Sequence, residues 1–293
     1  MEVPDMELME LETPLTKSLD EKERLLEAIL SESAPAVVAF SGGVDSSYLA
    51  WKAHAVLGDR MKAVTAESAS VPSHQRRLAA RVIGDFGIPH QVVQSEEIGR
   101  EEYSRNDANR CFHCKDEVYA KLRAIAAATG AAVVLDGLNA DDLGDYRPGR
   151  RAALKHGVRS PLMEAGLSKD DIRELSRRAG LPTADEPASA CLASRMPYGV
   201  KITEENLRQV DRGEEFLREM GFRVFRVRHH ETLVRIELGS EDLPKALNPE
   251  AAAKIAAAFK GFGYRFVTLD LEGYRTGSAN EVLSDLEKQK FSV

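Results

Sequence analysis

Three cysteines are the residues of this chain best suited to chemistry. Cys111 and Cys114 are spaced i, i+3, and Cys191 comes from a remote stretch rich in small residues. On a helical turn that spacing puts both sulfurs on one side. Arg110, His113 and Lys115 surround the pair and Arg195 follows Cys191, a basic setting that favours thiolates. Three thiolates close a four-ligand zinc site only if His113 joins them. They can instead hold a cubane iron–sulfur cluster and leave one iron open to an exogenous ligand such as sulfide. The same residues also suit buried apolar thiols, a redox pair with a spectator, or a Cys191 that gives up its own sulfur. An odd count fits no closed disulfide framework.

The second constellation is Val37-Val38-Ala39-Phe40-Ser41-Gly42-Gly43-Val44-Asp45-Ser46-Ser47. It reads as a buried strand, a glycine turn and a helix start. Gly42 and Gly43 let the backbone turn sharply and bring its N–H groups close to an anion. The helix N-terminus adds free donors and a favourable dipole. A Walker loop would end in Gly-Lys-Ser/Thr; here Asp45 stands among serines. A carboxylate beside a phosphate cradle makes sense when Mg²⁺ bridges the two. The Ser-Gly-Gly-Val-Asp-Ser string resembles the loop of the N-type ATP pyrophosphatases, which cleave ATP to an adenylate and pyrophosphate. Ser41, Gly42, Gly43, Asp45, Ser46 and Ser47 are therefore expected to hold ATP, with Asp45 on Mg²⁺.

The elements that must position these residues follow from the apolar pattern. Ser18-Leu-Asp-Glu21 resembles a capping box before a helix through Leu25, Leu26, Ile29 and Leu30. Strands are expected at Met61–Thr65, Gln91–Val93 and Val133–Gly137, with helices from Pro72 to Phe86 and from Glu117 to Thr129. The alternation predicts an α/β fold with a doubly wound parallel sheet. In such sheets ligands sit beyond the strands' carboxyl ends, so Ala66-Glu67-Ser68 is a candidate for holding adenine. Asn139-Ala140-Asp141-Asp142 ends the fourth strand; its aspartates serve Mg²⁺ or cap the following loop. Asp145 to Gly149 reads as a loop and Ser168 to Ala179 as a helix. Leu181 to Ala193 is an irregular stretch carrying Cys191. From Thr203 the character changes: a helix at Glu204–Met220, strands at Arg223–His229 and Leu233–Leu238, a helix at Pro249–Phe259 and a strand at Arg265–Leu271. The division is residues 1–200, with a loose arm over 1–17, and a smaller α+β substrate or oligomerisation domain over 201–293.

The chain has 293 residues, 43% hydrophobic and 30% charged, with a net charge of −7. It can bury a core, and its acidity argues against a dedicated nucleic-acid binder. No stretch is long and apolar enough for a bilayer, and the acidic start lacks a signal-peptide order. The expected compartment is the cytoplasm.

Arg226 and Arg228 stand i, i+2 on a predicted strand and share a face, a fork for a phosphate or carboxylate. Phe225 and Val227 take the other face. Lys115 and Arg195 add positive charge near the cysteines. His229 and His230 read as surface strand-end residues.

Taken together, Ser41–Ser47, Arg110–Lys115, Gly137–Asp142, Arg159–Leu162, Ala190–Gly199 and Gly273–Gly277 resemble the LarE family, ATP-dependent sulfur transferases acting on pyridinium-3,5-dicarboxylate mononucleotide. The resemblance implies that ATP adenylates a substrate carboxylate and that sulfur then displaces AMP. The thiocarboxylate product goes to the nickel-pincer cofactor of lactate racemase. It implies that Arg226 and Arg228 meet the substrate phosphate and that the protein forms a homo-oligomer fed by a sulfide source. One form of the family sacrifices the cysteine matching Cys191 and lacks the Cys-x-x-Cys. The other holds a [4Fe-4S] cluster on three cysteines, and Cys111, Cys114 and Cys191 match that form. The competing readings are a tRNA thiolase, an amide-forming synthetase, or a nucleotide-binding sensor without turnover.

Overall fold

The computed structural model describes residues 17–144 and 148–275. The expected arm, apart from Lys17, lies outside these residues, as do positions 145–147 of the expected loop and 276–277 of the last matching segment.

Ser18 caps α1 (Leu19–Glu32) by the expected reciprocal box: the Glu21 N–H reaches its hydroxyl and its own N–H reaches the Glu21 carboxylate. The chain then winds through β1 (Ala36–Ala39), α2 (Val44–Leu57), β2 (Met61–Glu67), α3 (Ser73–Phe86), β3 (His90–Gln94) and the short α4 (Glu101–Ser104). Next come α5 (Arg110–Thr129), β4 (Val133–Leu135), α6 (Gly149–Lys155), α7 (Pro161–Glu164) and α8 (Lys169–Arg178). The remainder forms α9 (Glu204–Glu219), the β5 (Phe225–His230) and β6 (Leu233–Leu238) hairpin, α10 (Leu243–Leu247), α11 (Pro249–Gly261) and β7 (Phe266–Leu269).

The first sheet is parallel in the order β3-β2-β1-β4. Its central strand is Ala-Val-Val-Ala, apolar on both faces because helices cover both. Ala36 and Val38 join Leu26, Leu49 and Leu175 of α1, α2 and α8 on one side. Val37 joins Leu122 and Ala126 of α5 on the other. This is the doubly wound α/β architecture. The winding reverses between β1 and β4, so a crevice opens beyond the carboxyl end of β1, where ligands bind in such sheets.

The second sheet, β5-β6-β7, pairs β5 with β6 antiparallel and β6 with β7 parallel. Phe225, Val227, Val234 and Ile236 pack on α9 and α11. Gly213 of α9 lets Phe259 approach, since a Cβ there would lie 2.6 Å from the Phe259 ring. The core of this sheet also takes in Tyr103, Leu192, Ala193 and Met196. The stretch after Cys191 is thus packed with the second sheet although it precedes residue 200. Among the described residues, no helix is long and apolar enough to cross a membrane.

Three local expectations change. The fourth strand ends at Leu135 rather than Gly137. The fifth helix begins at Arg110 rather than Glu117, so the Cys-x-x-Cys is its first turn. His229 is not a surface residue: it is 2% exposed and its Nδ1 lies 3.1 Å from the Tyr264 hydroxyl.

Candidate active site

The glycine turn closes by its own hydrogen bonds. The Ser41 N–H donates to Ser46 Oγ at 3.2 Å, and the Ser46 hydroxyl donates to the Gly43 carbonyl at 3.2 Å. Ser46 is therefore a stitch within the loop. Gly42 sits at φ +78° with Ala79 of α3 pressed against it; a Cβ would fall 2.6 Å from the Ala79 Cβ. Gly43 begins α2 and supplies no side-chain cap, which leaves first-turn donors for a ligand. Gly137, after β4, lies where a Cβ would be 3.1 Å from the Ser46 nitrogen.

Asp45 is met by a residue that no motif announces. Lys169 Nζ lies 2.6 Å from Asp45 Oδ2, while the Lys169 backbone N–H donates to Asp141 Oδ2 at 2.8 Å. Ser168 starts α8 with a capping box on Asp171, and this cap aims the next residue at the phosphate loop. Asp45 Oδ1 and the Ser47 hydroxyl are buried without partners. An orphaned carboxylate oxygen beside a phosphate cradle fits a hard cation such as Mg²⁺. Asp141 and Asp142 act as caps here: Asp142 Oδ2 accepts from the Asn139 N–H at 3.0 Å.

The Cys191 segment docks against the same end of the sheet. The Leu192 N–H donates to the Ser70 carbonyl at 2.8 Å, just past β2. Two residues before Cys191, the Ser189 hydroxyl meets Gln75 Oε1 at 3.1 Å, and Gln75 Nε2 donates to the Ser41 carbonyl at 2.8 Å. One side chain thus links the phosphate loop to the cysteine loop. Beyond β2, Glu67, Ser68, Ala69, Arg76 and Asp211 line a cleft of ≈ 360 Å³, at the stretch expected to hold adenine. A second cleft of ≈ 320 Å³ between α3 and α9 contains none of the predicted site residues.

Cys111, Cys114 and Cys191 are free and half-buried as residues. Burial pushes the Cys114 thiol far above its ordinary value, and Cys191, Glu97 and Cys111 act in the same direction. Cys111 and Cys114 lie in the first turn of α5, and Cys114 and Cys191 pack against the same core cluster. Among the described residues, no three histidine, cysteine or acidic side chains are gathered so as to hold a metal ion. The zinc site with His113 is therefore not formed; the His113 Nε2 instead faces the Asn109 amide at 3.2 Å. A cubane cluster spans the space between its thiolates, so its ligands need not crowd around one ion.

The predicted substrate cations divide. Arg195, 2% exposed, donates Nε and Nη2 to Glu214 at 2.8 and 3.1 Å. Its Nη1 serves Ala190 O, Cys191 O and Ser194 Oγ at 2.9, 3.3 and 2.8 Å. It is a buried strut under the Cys191 loop, not a cation offered to substrate. Arg228 is bound to Glu237 at 2.9 and 2.8 Å and to the Ser194 carbonyl at 3.1 Å. The two strand arginines share a face as expected, but they do not form a free fork. Arg226 keeps no carboxylate partner among the described residues. It donates to Phe225 O and Ala188 O at 2.6 Å each and lies 4.6 Å from the Tyr274 ring. Burial, then the neighbouring Arg195 charge, lowers its pKa. A cation so placed is stabilised by an incoming anion. Lys115 lies 5.3 Å from the Tyr119 ring.

Sequence reasoning missed Gln75, Lys169 and Glu214. Lys169 follows an N-cap serine, which fixes where it starts but not what it faces. Neither Gln75 nor Glu214 carries any spacing signal.

A parallel sheet with a Ser-Gly-Gly-x-Asp-Ser turn at its switch point defines a PP-loop ATP pyrophosphatase. The profile of the asparagine synthase family matches residues 23–238. The pyridinium-3,5-bisthiocarboxylic acid mononucleotide synthase of Lactiplantibacillus plantarum is 34% identical over 94% of this chain and 99% of its own length. An uncharacterized protein of Synechocystis is 42% identical over 91% of this chain and 99% of its own. The tRNA-specific 2-thiouridylase of Azorhizobium caulinodans is 31% identical, over 54% of this chain and 50% of its own. This chain belongs to the LarE family of PP-loop proteins.

Proposed function

We propose that the protein adenylates a carboxylate of pyridinium-3,5-dicarboxylate mononucleotide with ATP and replaces AMP by sulfur, for nickel-pincer cofactor synthesis. The observation that carries this reading is the link from Ser41 through Gln75 to Ser189, which sets Cys191 beside the nucleotide loop. Full-length similarity to the Lactiplantibacillus synthase supports the same substrate. The tRNA thiouridylase matches only about half of each chain, and a net charge of −7 suits a tRNA surface poorly.

In the first half-reaction a substrate carboxylate oxygen attacks the α-phosphorus, and the bond to the β-phosphate oxygen breaks. The electron pair leaves with pyrophosphate. The Gly42–Ser47 turn and Lys169 stabilise the charge moving onto that leaving group. Asp45, with its unpartnered oxygen, would hold Mg²⁺, which adds to that stabilisation. In the second half-reaction sulfur adds to the acyl carbon, the bond to the AMP oxygen breaks, and a thiocarboxylate remains. Arg226 is the group best placed to meet the substrate's phosphate. Arg195 and Glu214 hold the Cys191 loop in position.

Cys111, Cys114 and Cys191 would hold a [4Fe-4S] group, which supplies an exchangeable sulfide at an iron without a protein ligand. Cys111 and Cys114 share the first turn of α5, and Cys114 and Cys191 pack against the same core cluster, which suits a shared group better than three separate reactive cysteines. This reading places the protein in the cytoplasm, as a homo-oligomer supplied by a separate sulfide source. The half that carries the second sheet serves the substrate.

The test is anaerobic analysis of iron, acid-labile sulfide and pyrophosphate. Iron should be present in the parent and lost in Cys111→Ala and Cys191→Ala, and pyrophosphate should appear only with the pyridinium dicarboxylate nucleotide. Iron-free protein that transfers one sulfur per chain would mean that Cys191 is consumed. ATP binding without any pyrophosphate release would sink the enzyme reading.

A further inference from the structure

Helix α3 is the wall behind the phosphate turn. Its Ala79 presses on Gly42, and a Cβ at Gly42 would lie 3.0 Å from the Gln75 carbonyl oxygen. The Gln75 amide donates to the Ser41 carbonyl at 2.8 Å. The position of α3 therefore decides the position of the turn. Yet α3 does not cap itself. Pro72, at its N-cap, supplies no side-chain acceptor, and the first N–H groups of a helix need acceptors from elsewhere.

The acceptor comes from the half of the chain that carries the second sheet. Asp211 of α9 takes the Ser73 N–H on Oδ1 at 3.0 Å and the Ser73 hydroxyl on Oδ2, across 138 residues of sequence. Its side chain is 16% exposed, and the carboxylate sits at the positive end of the α3 dipole. Arg76, one turn into α3, lies 3.9 Å from Asp211 Oδ2 and donates to the Ser73 hydroxyl oxygen at 3.2 Å. Arg76 Nη1 reaches across to the end of β2, 3.5 Å from the Ser68 carbonyl and 3.7 Å from Glu67 Oε1. Asp211 thus borders the ≈ 360 Å³ cleft beyond β2 and holds the helix behind the turn. The same stretch of α9 carries Glu215, which pairs with Arg77 of α3, and Glu214, which holds Arg195 under the Cys191 loop.

We propose that Asp211 is a positioning residue for the nucleotide half-reaction. It fixes α3 from the opposite half of the chain, and α3 in turn sets the Ser41–Gly43 backbone for ATP. The proposal rests on the reading that this turn holds ATP, and it adds the residue that sets the turn from outside. Asp211 acts through α3 and does no chemistry itself.

The test is equilibrium binding to the full chain, by calorimetry, of the uncleavable analogue α,β-methylene-ATP with Mg²⁺ and, separately, of the pyridinium dicarboxylate mononucleotide. Asp211→Ala should weaken analogue binding about tenfold, the scale of one lost hydrogen bond to a charged group. Asp211→Asn should stay within about threefold of the parent, because a neutral bond keeps about half the strength of a charge-assisted one. Ser73→Pro breaks the same contact from the α3 side and keeps the test open should Asp211→Ala fail to fold. Proline is tolerated at the first helical position, and Pro72, at φ −59° and ψ 139°, already has the conformation required before proline. Ser73→Pro should match Asp211→Ala, and the double variant should be no worse than either, since both cut one contact. Affinity for the pyridinium nucleotide should be unchanged throughout. A general loss of packing would instead lower the binding stoichiometry, for both ligands alike. Parent-like analogue affinity in a folded Asp211→Ala or Ser73→Pro overturns the proposal, as does an equal loss for both ligands. A parent that binds no analogue overturns the ATP reading of the turn together with it. A parent that binds the analogue but not the pyridinium nucleotide overturns the substrate reading alone, and the analogue affinities still decide for or against Asp211.

Discussion

Gln75 and Ser189 share a hydrogen bond of 3.1 Å, and through it the phosphate loop and the sulfur-bearing loop are held at one spacing. The other end of the Gln75 amide donates to the Ser41 carbonyl. In the proposed reaction an acyl adenylate formed at the first loop would meet sulfur carried at the second. Replacing Gln75 by Ala leaves both loops in place but unlinked. Sulfur transfer should fall about tenfold more than pyrophosphate release, on the scale of one or two lost hydrogen bonds. Both products can be measured on one sample; equal losses would show that the bridge does not couple the two steps.

Lys169, paired with Asp45 at the phosphate turn, is the cation that the proposed reaction would set against the leaving pyrophosphate. Lys169→Met should lower substrate-dependent pyrophosphate release roughly a hundredfold, as for other lost electrostatic donors. Its backbone bond to Asp141 survives the change, so the melting temperature should hardly move. Release at the parent rate would remove Lys169 from the site.

Gly42 is required by its backbone and by its neighbour. Gly42→Ala places a Cβ against Ala79 in a left-handed conformation, which costs about 1–2 kcal/mol before any clash is relieved. ATP-dependent pyrophosphate release should be lost and the melting temperature lowered. A variant with parent-like stability and ATP affinity would show the turn to be looser than this packing requires.

Arg195 and Glu214 are buried together, their side chains 2% and 5% exposed. Removing one partner leaves the other charge stranded, so Arg195→Met should cost about 3–5 kcal/mol. Arg195→Lys should recover little, because Lys lacks the planar fork that meets both Glu214 oxygens. Chemical denaturation decides the matter. A large fall in substrate affinity at unchanged stability would return Arg195 to the substrate.

The same pair gives a pH dependence. Burial alone would raise the Glu214 carboxyl, but Arg195 outweighs burial and holds it below its ordinary value of 4.5. The folded value is thus the lower one. Stability from this pair is complete above about the unfolded value and is lost as pH falls through the folded one. Between neutral pH and mild acid the parent should lose stability relative to Glu214→Gln below about pH 4.5, the unfolded carboxylate value. Parallel curves would exclude the linkage.

Much of this architecture was legible because it is written in short-range pattern. Ala36–Ala39, Met61–Glu67 and Val133–Leu135 are apolar runs flanked by turn residues, and each forms its parallel strand. The capping boxes at Ser18 and Ser168 appear where helices start. The start of α5 was less legible, because polar Arg110, His113 and Lys115 obscure the first turn. His229 was misplaced because strand-end position says nothing about the helix and tyrosine that cover it.

The sequence by itself determined the phosphate turn, the doubly wound sheet and the three thiols, since each depends on residue type and on neighbours a few positions away. Only tertiary structure decided which charges remain available. Arg195 and Arg228 read as substrate cations until Glu214 and Glu237, carried in by other elements, use them up. Lys169 reads as an ordinary helix lysine until α8 brings it to Asp45. Spacing along a chain does not encode the distance between loops, and a buried charge is defined by whichever partner the fold delivers to it.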